Sequence, residues 1–282
     1  MAQAWGNDGQ PVHYRVVGDE TGYPVVLLQG LGLAGDFWAD VPERLAALAS
    51  GPYRVCVVDN RGVGASRLRR RRPFAIRRMA DDVAAVLDAE KIERAIVAGI
   101  SLGGMIAQHV ALRHPARVAG LVLMATTGGG RRLRLPGPLS LARLVSVPFG
   151  DLRGRRPNVD AFARLVLPAS ELGRAREHMR DLMPAFDAHE VSLPAFFAQL
   201  GAVLDHLRGA DVAKIRCPTL VMAAEEDCLL PPRNAELLAQ GIPGAHFEVA
   251  AGVGHGIPIL DRDAVGRAVS RLRQLQLSSA AP

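Results

Sequence analysis

Short apolar runs alternate along this chain with longer stretches of helical period, and that alternation leaves few folds open. The runs at 25–29, 53–58, 94–98 and 118–124 are apolar along almost their whole length. A strand buried on both faces reads this way, whereas a half-exposed strand alternates with polar residues. Between the runs, apolar residues recur at three and four. Phe37, Val41, Leu45 and Leu48 mark one helical face over 36–49, and Met79, Val83, Val86 and Leu87 mark another over 76–89. A further helix is expected over 101–113. Strand–helix–strand–helix order predicts a parallel sheet with helices on both faces. A strand at 12–17 precedes this series. Strands at 219–223 and 246–249, with helices near 234–239 and 263–275, close it. The end, from Gln276 onward, reads as frayed.

The rhythm breaks between 127 and 213. That stretch is rich in Pro, Arg, Leu and Phe and has no buried strand pattern. It divides the chain into an α/β core, 1–126 and 214–282, and an inserted helical cap, 127–213. Gly128-Gly129-Gly130 opens the cap and reads as its hinge.

A chain of 282 residues, 49% hydrophobic and 22% charged, buries a sizeable core without a disulfide or metal staple. No apolar run reaches ~18 residues, so no membrane span is expected. The first residues lack a basic segment followed by an apolar one, which argues against a secretory signal. Cys56, Cys217 and Cys228 are an odd set without metal-ligand spacing, and Cys56 lies in a buried run. A cytoplasmic enzyme is the expectation. The net charge of +6 comes largely from arginine. Its densest run, 67–78, holds seven arginines and no acid. With no aromatic residue beyond Phe74 and no nucleic-acid motif, it reads as a solvated loop and not as a nucleic-acid surface.

The chemistry centres on Gly99-Ile100-Ser101-Leu102-Gly103, a G-x-S-x-G sequence at a strand-to-helix junction. Such a turn exposes the serine hydroxyl, and glycine is needed on either side because the neighbouring backbones approach closely. A serine hydroxyl is a poor nucleophile without a base, and the base is a histidine oriented by a carboxylate. For this junction the chain order is Ser, then Asp or Glu, then His. Glu225-Glu226-Asp227 follows the strand at 219–223, and His255 sits on a glycine-rich loop after the next strand. Asp227 is the preferred acid, with Glu225, Glu226 and Asp205 as competitors. His109, His114, His178, His189, His206 and His246 read as structural, since none has ligand spacing. Two backbone N–H groups are needed for the oxyanion. Leu102, after the nucleophile, and Leu31, in the loop after the strand at 25–29, are the candidates.

On these residues the chain resembles the α/β-hydrolase fold superfamily over essentially its whole length. The elbow at Ser101, Asp227 and the Gly254-His255 loop carry the resemblance, together with Asp59-Asn60-Arg61-Gly62-Val63-Gly64-Ala65-Ser66, which matches a D-x-R-G-x-G-x-S turn of that family. The segment from Ser101 to Met105, with His114-Pro115, is similar to bacterial enol-lactonases and polyketide methyl esterases. The resemblance implies an α/β-hydrolase fold with a mostly parallel sheet and an inserted helical cap. It also places Asp227 as in the family's G-x-x-D spacing, with Ala224 in the glycine's position. One departure stands out: most relatives have His-Gly where this chain has Gln29-Gly30.

The resulting expectation is a serine hydrolase that cleaves an ester or lactone of a small to medium organic molecule. It would use Ser101, His255 and Asp227, with Leu31 and Leu102 holding the oxyanion and no metal or cofactor. Phe186, Phe196 and Phe197 are the cap's candidate substrate contacts. The alternatives are C–C bond hydrolysis, perhydrolysis or non-hydrolytic chemistry on the same residues, or a ligand-binding protein with an idle triad.

Overall fold

The computed structural model describes residues 1–69, 72–149, 157–189 and 192–279. Eight strands form one sheet: β1 (Ala2–Trp5), β2 (Pro11–Gly18), β3 (Tyr23–Leu28), β4 (Tyr53–Val58), β5 (Ala95–Ile100), β6 (Val118–Met124), β7 (Thr219–Ala224) and β8 (His246–Ala250). Their order is β1-β2-β4-β3-β5-β6-β7-β8. β1 pairs with β2, and β2 with β4, in antiparallel fashion, and every other pairing is parallel.

Eleven α-helices are seen among the described residues: α1 (Val41–Ala46), α2 (Ile76–Ala89), α3 (Leu102–Arg113), α4 (Pro138–Ser146), α5 (Val159–Val166), α6 (Ala175–Met179), α7 (Met183–Ala188), α8 (Leu193–Leu207), α9 (Pro232–Gly241), α10 (Ile257–Leu260) and α11 (Ala264–Ser279). α2, α3 and α9 cover one face of the sheet, where Val26, Leu28, Met79, Val83, Ile106 and Leu238 share a core. α1 and α11 cover the other, against Val25, Leu27, Val265 and Val269. Successive strand residues point to opposite faces, so a strand covered on both sides must be apolar at every position. None of the helices among the described residues is long and apolar enough to cross a membrane.

Two local expectations need correction. The stretch 36–49 is not one helix. A 3-10 turn at Gly35–Trp38 stops at Ala39, whose φ is +49°, and α1 then starts with Pro42 in its first turn. Proline lacks the N–H that a continuing helix needs and suits a helix start. Nor does the chain fray at Gln276. α11 continues to Ser279, and the Gln276 side chain accepts from Tyr23 OH at 2.8 Å and donates to Ala119 O at 2.6 Å. Residues 280–282 lie outside the described residues.

Between β6 and β7 the described residues form helices and no strand. The segment has its own apolar centre, in which Phe162, Leu165, Leu182 and Phe186 pack against Phe37. It enters and leaves the sheet at one point. Gly130 N donates to Leu207 O at 3.0 Å, and Ala210 N to Gly128 O at 2.9 Å. Gly129 has a φ of +68°, and a Cβ there would lie 2.6 Å from His206 O, so only glycine fits this crossing. α8 is shared with the main core: Ala202 is fully buried in the cluster that includes α2 and α3.

Candidate active site

β5 delivers Ser101 to the carboxyl edge of the sheet, and α3 begins at the next residue. Ser101 has φ 55° and ψ −118°, a conformation that costs a non-glycine residue roughly 1–3 kcal/mol. The surroundings hold it there. Ser101 N donates to Met124 O at 2.9 Å, and Thr126 Oγ1 donates to Ser101 O at 2.8 Å. The flanking glycines are sterically required. A Cβ on Gly99 would lie 2.3 Å from Gly103 O, and one on Gly103 would lie 2.0 Å from Leu28 O.

Asp227 sits just past β7 and His255 just past β8, and the two meet in the interior. His255 Nδ1 lies 2.7 Å from Asp227 Oδ2. A carboxylate only accepts, so Nδ1 carries the proton and Nε2 is left as an acceptor. The other carboxylate oxygen, Oδ1, accepts from Leu229 N and Leu230 N, each at 2.8 Å. Asp227 is thereby locked by two amides on one oxygen while the other faces the imidazole. The competing acids do not reach the histidine. Glu225 accepts from Gly252 N, Glu226 is exposed, and Asp205 acts electrostatically on His109. The histidine loop is tied to the inserted helices, because Gly256 N donates to Val166 O at 3.0 Å.

Ser101 and His255 line one cavity of about 130 Å³ together with Gly30 and Leu31. Several amides of the loop after β3 are committed within the protein. Gly30 N donates to Gln29 Oε1 at 2.9 Å, Gly32 N to Gln199 Oε1 at 2.8 Å, and Leu33 N to Gly30 O at 3.3 Å. Leu31 N has no protein partner among the described residues. Leu102 is the first residue of α3, where an amide has no intrahelical acceptor. Leu102 follows the serine directly, and Leu31 follows Gly30, where a Cβ would stand 3.5 Å from Ser101 Cβ. Gln29, the departure noted above, organises this loop. Its side chain takes the Gly30 amide, and its own carbonyl accepts from Asn60 Nδ2 at 2.9 Å.

The cavity walls are mainly apolar, and Trp38, Phe162, Leu182, Phe186 and Phe196 contribute to them. Phe197 is a correction. It is 47% exposed, stacks edge-on against Phe196 and does not line the cavity.

The family model for the alpha/beta hydrolase fold matches residues 23–261. The chain belongs to the α/β-hydrolase fold family. Among curated relatives, a protein of Variovorax paradoxus named as the carbamate hydrolase RutD is 33% identical over 253 residues, covering 88% of this chain and 91% of its own. Among solved structures, the enol-lactonase of Burkholderia xenovorans superposes with a TM-score of 0.77 at 25% identity, over 97% of this chain and 100% of that one. A protein of Mycobacterium tuberculosis, BpoC, named as a non-heme bromoperoxidase, superposes with a TM-score of 0.74 at 26% identity, over 93% of this chain and 95% of that one. The chain is a hydrolase of this fold.

Three polar residues at the site were not anticipated from the sequence. Gln199 is fully buried on α8 and bridges two loops, accepting from Gly32 N and donating to Arg61 O at 2.9 Å. Its signal was present, as the lone polar side chain in the apolar stretch from Leu193 to Leu204. His189 and Arg262 line the cavity. His189 Nε2 meets Asp36 Oδ2 at 2.9 Å, and Arg262 pairs with Asp40 at 3.0 Å and Asp181 at 2.9 Å. Both residues link the inserted helices to the core, and neither lies in a local motif. Away from the cavity, His109 Nε2 and His206 Nδ1 are 3.1 Å apart, and His206 Nε2 donates to Thr127 O at 2.8 Å. Burial holds His206 down to about 4.

Proposed function

We propose that this hydrolase cleaves a carboxylic ester or lactone of a small to medium, largely apolar molecule through an acyl-enzyme on Ser101. The observation that carries the reading is the buried Asp227–His255 pair opening on the same apolar cavity as the strained Ser101. His255 Nε2 takes the Ser101 proton as Oγ attacks the carbonyl carbon, and Asp227 stabilises the imidazolium that results. The Leu31 and Leu102 amides take up the charge on the carbonyl oxygen. His255 then gives the proton to the leaving alkoxide. Water, deprotonated by the same imidazole, releases the acid and restores Ser101. The chain supplies every group in this sequence.

Residues 127–213 serve as a lid on the core formed by 1–126 and 214–282, and Phe186 and Phe196 contact the substrate from it. The free cysteines Cys56, Cys217 and Cys228 support a reducing, cytoplasmic setting. A carbamate is a second reading, favoured by the relative named RutD, because its carbonyl is open to the same attack.

The test is labelling with a fluorophosphonate, followed by turnover over a panel of esters, lactones and carbamates. A Ser101 adduct on the unchanged chain, absent from Ser101→Ala, together with turnover of esters or lactones, is expected. A folded protein that takes no label would overturn the reading in favour of a binding role.

A further inference from the structure

The described arginines of the run at 67–78 are exposed, as a solvated loop requires. Part of that run, with the turn after β1, borders an open-sided cavity of about 490 Å³ lined by Asp8, Arg61, Arg69, Arg72, Arg77 and Arg78 among others. Arg70 and Arg71 lie outside the described residues. The cavity's one acid is already committed. Asp8 pairs with Arg61 at 2.6 Å, and Arg61 pairs on its far side with the buried Asp82 at 2.7 Å. The other four arginines make no ion pair among the described residues. The Arg69 guanidinium donates to Gly9 O at 3.1 Å and lies over the Trp5 ring, while its backbone amide donates to Gln10 Oε1 at 3.2 Å. The side chains of Arg72, Arg77 and Arg78 have no hydrogen-bond partner among the described residues.

Four like charges around one concavity repel one another, and two of them stand where a helix least tolerates a cation. Arg77 and Arg78 occupy the first turn of α2, which contains no acidic residue. The helix dipole is positive at that end and favours the opposite sign. A bound anion would remove both penalties. Guanidinium groups meet phosphate and carboxylate oxygens with paired, charge-assisted hydrogen bonds, so several on one cavity wall suit a ligand with several such oxygens. The volume falls in the range of small-molecule sites. The cavity is also separate from the one at Ser101. The turn from Asn60 to Ser66 divides them, with Gly62, Val63 and Gly64 lining the serine's side and Arg61 lining this one.

We propose that this cavity is a binding site for a small polyanion, a compound carrying phosphate or several carboxylate groups. A nucleic acid is disfavoured by the aromatic residues at the site. Phe74 and Trp5 already hold the faces of Arg61 and Arg69, which leaves no unpaired aromatic platform for a base.

The test is calorimetric titration of the full chain with inorganic pyrophosphate and, separately, with citrate, at constant ionic strength in chloride buffer. Saturable binding at one site per chain is expected, weakening as salt rises. At a hundredfold excess over Kd it should raise Tm by about 5 °C. Arg77→Ala and Arg78→Ala, at exposed positions that leave the fold intact, should each weaken Kd by about tenfold. Arg44→Ala, on α1, should not change it. Stronger binding of pyrophosphate than citrate marks a phosphate ligand, and the reverse a polycarboxylate. Absence of saturable binding by either anion, equal affinity in the Arg77 and Arg78 variants, or tighter binding of a single-stranded oligonucleotide would each overturn the proposal. Repeating the titration on Ser101→Ala keeps the result independent of the hydrolytic reading.

Discussion

Asp227→Asn isolates the carboxylate's task from its fold, because the surrounding hydrogen bonds dictate how an asparagine must sit. Oδ1 accepts from two backbone amides, Leu229 N and Leu230 N, at 2.8 Å each, and Oδ2 faces His255 Nδ1 at 2.7 Å. The asparagine oxygen must take the Oδ1 place. The flipped amide would set its NH2 against two N–H donors, at roughly 1–3 kcal/mol for each buried amide left unpaired. The NH2 group then faces Nδ1 and donates to it. The imidazole is forced to carry its proton on Nε2, where it cannot accept the Ser101 proton. A wrong tautomer of this kind lowers kcat by up to about 10⁴-fold, equivalent to about 5.4 kcal/mol of barrier. The size and most hydrogen bonds of the side chain are kept, so the melting curve should stay close to that of the unchanged chain. The assay is steady-state hydrolysis of an activated ester beside thermal melts, with Glu225→Gln, Glu226→Gln and Asp205→Asn as controls that keep turnover. Near-normal kcat in Asp227→Asn would refute the tautomer argument, and a collapse in Asp205→Asn would move the acid elsewhere.

Gln199→Leu removes the bridge between Gly32 N and Arg61 O, leaving the buried Arg61 carbonyl unpaired at about 1–3 kcal/mol and the more exposed Gly32 amide to water. Denaturant unfolding should register that loss, and kcat should fall more than KM rises, because the loop that carries Leu31 loses its anchor. The proton balance at His206 makes stability pH-dependent. Its folded value, about 4, lies below the 6.5 of an ordinary histidine, so the unfolded chain binds more protons between those limits and stability falls as pH drops from 6.5 toward 4. The full effect is about 3 kcal/mol. Asp82, pushed up to about 6 by burial, works in the opposite sense, so the measurement is the difference between the unchanged chain and His206→Gln. Stability curves that run parallel from pH 7 to 4 would contradict it. Phe186→Leu should shift preference toward bulkier acyl groups and Phe197→Leu should not, since only the first lines the cavity. A chain-length series of esters distinguishes the two.

What could be read from the sequence is what short stretches decide on their own. Continuous apolar runs such as 118–124 announce strands covered on both faces, and the structure has β6 with those bounds. The glycines around Ser101 announce a sharp strand-to-helix turn, because two backbones crossing within 2.0–2.3 Å of a hypothetical Cβ leave no other residue type. The order of Ser101, Asp227 and His255 follows from which strands end before each. The remainder depended on how distant elements pack. Phe196 and Phe197 are neighbours of one type, yet about 100° apart around α8, and only the seating of that helix on α2 and α3 turns one toward the cavity and the other to solvent. Gln199 has its meaning only because Gly32 and Arg61, 167 and 138 residues away, converge on it. His189 and Arg262 reach the cavity wall through partners on other elements, Asp36 in one case and Asp40 with Asp181 in the other. The arginine run is the solvated loop that its composition suggests. The turn at Asp8, brought beside it by the pairing of β1 with β2, adds an open-sided cavity along one side of it. Local sterics and hydrophobic period are written residue by residue. Convergence of side chains across the sheet edge is a property of the packed chain, and no window along the sequence contains it.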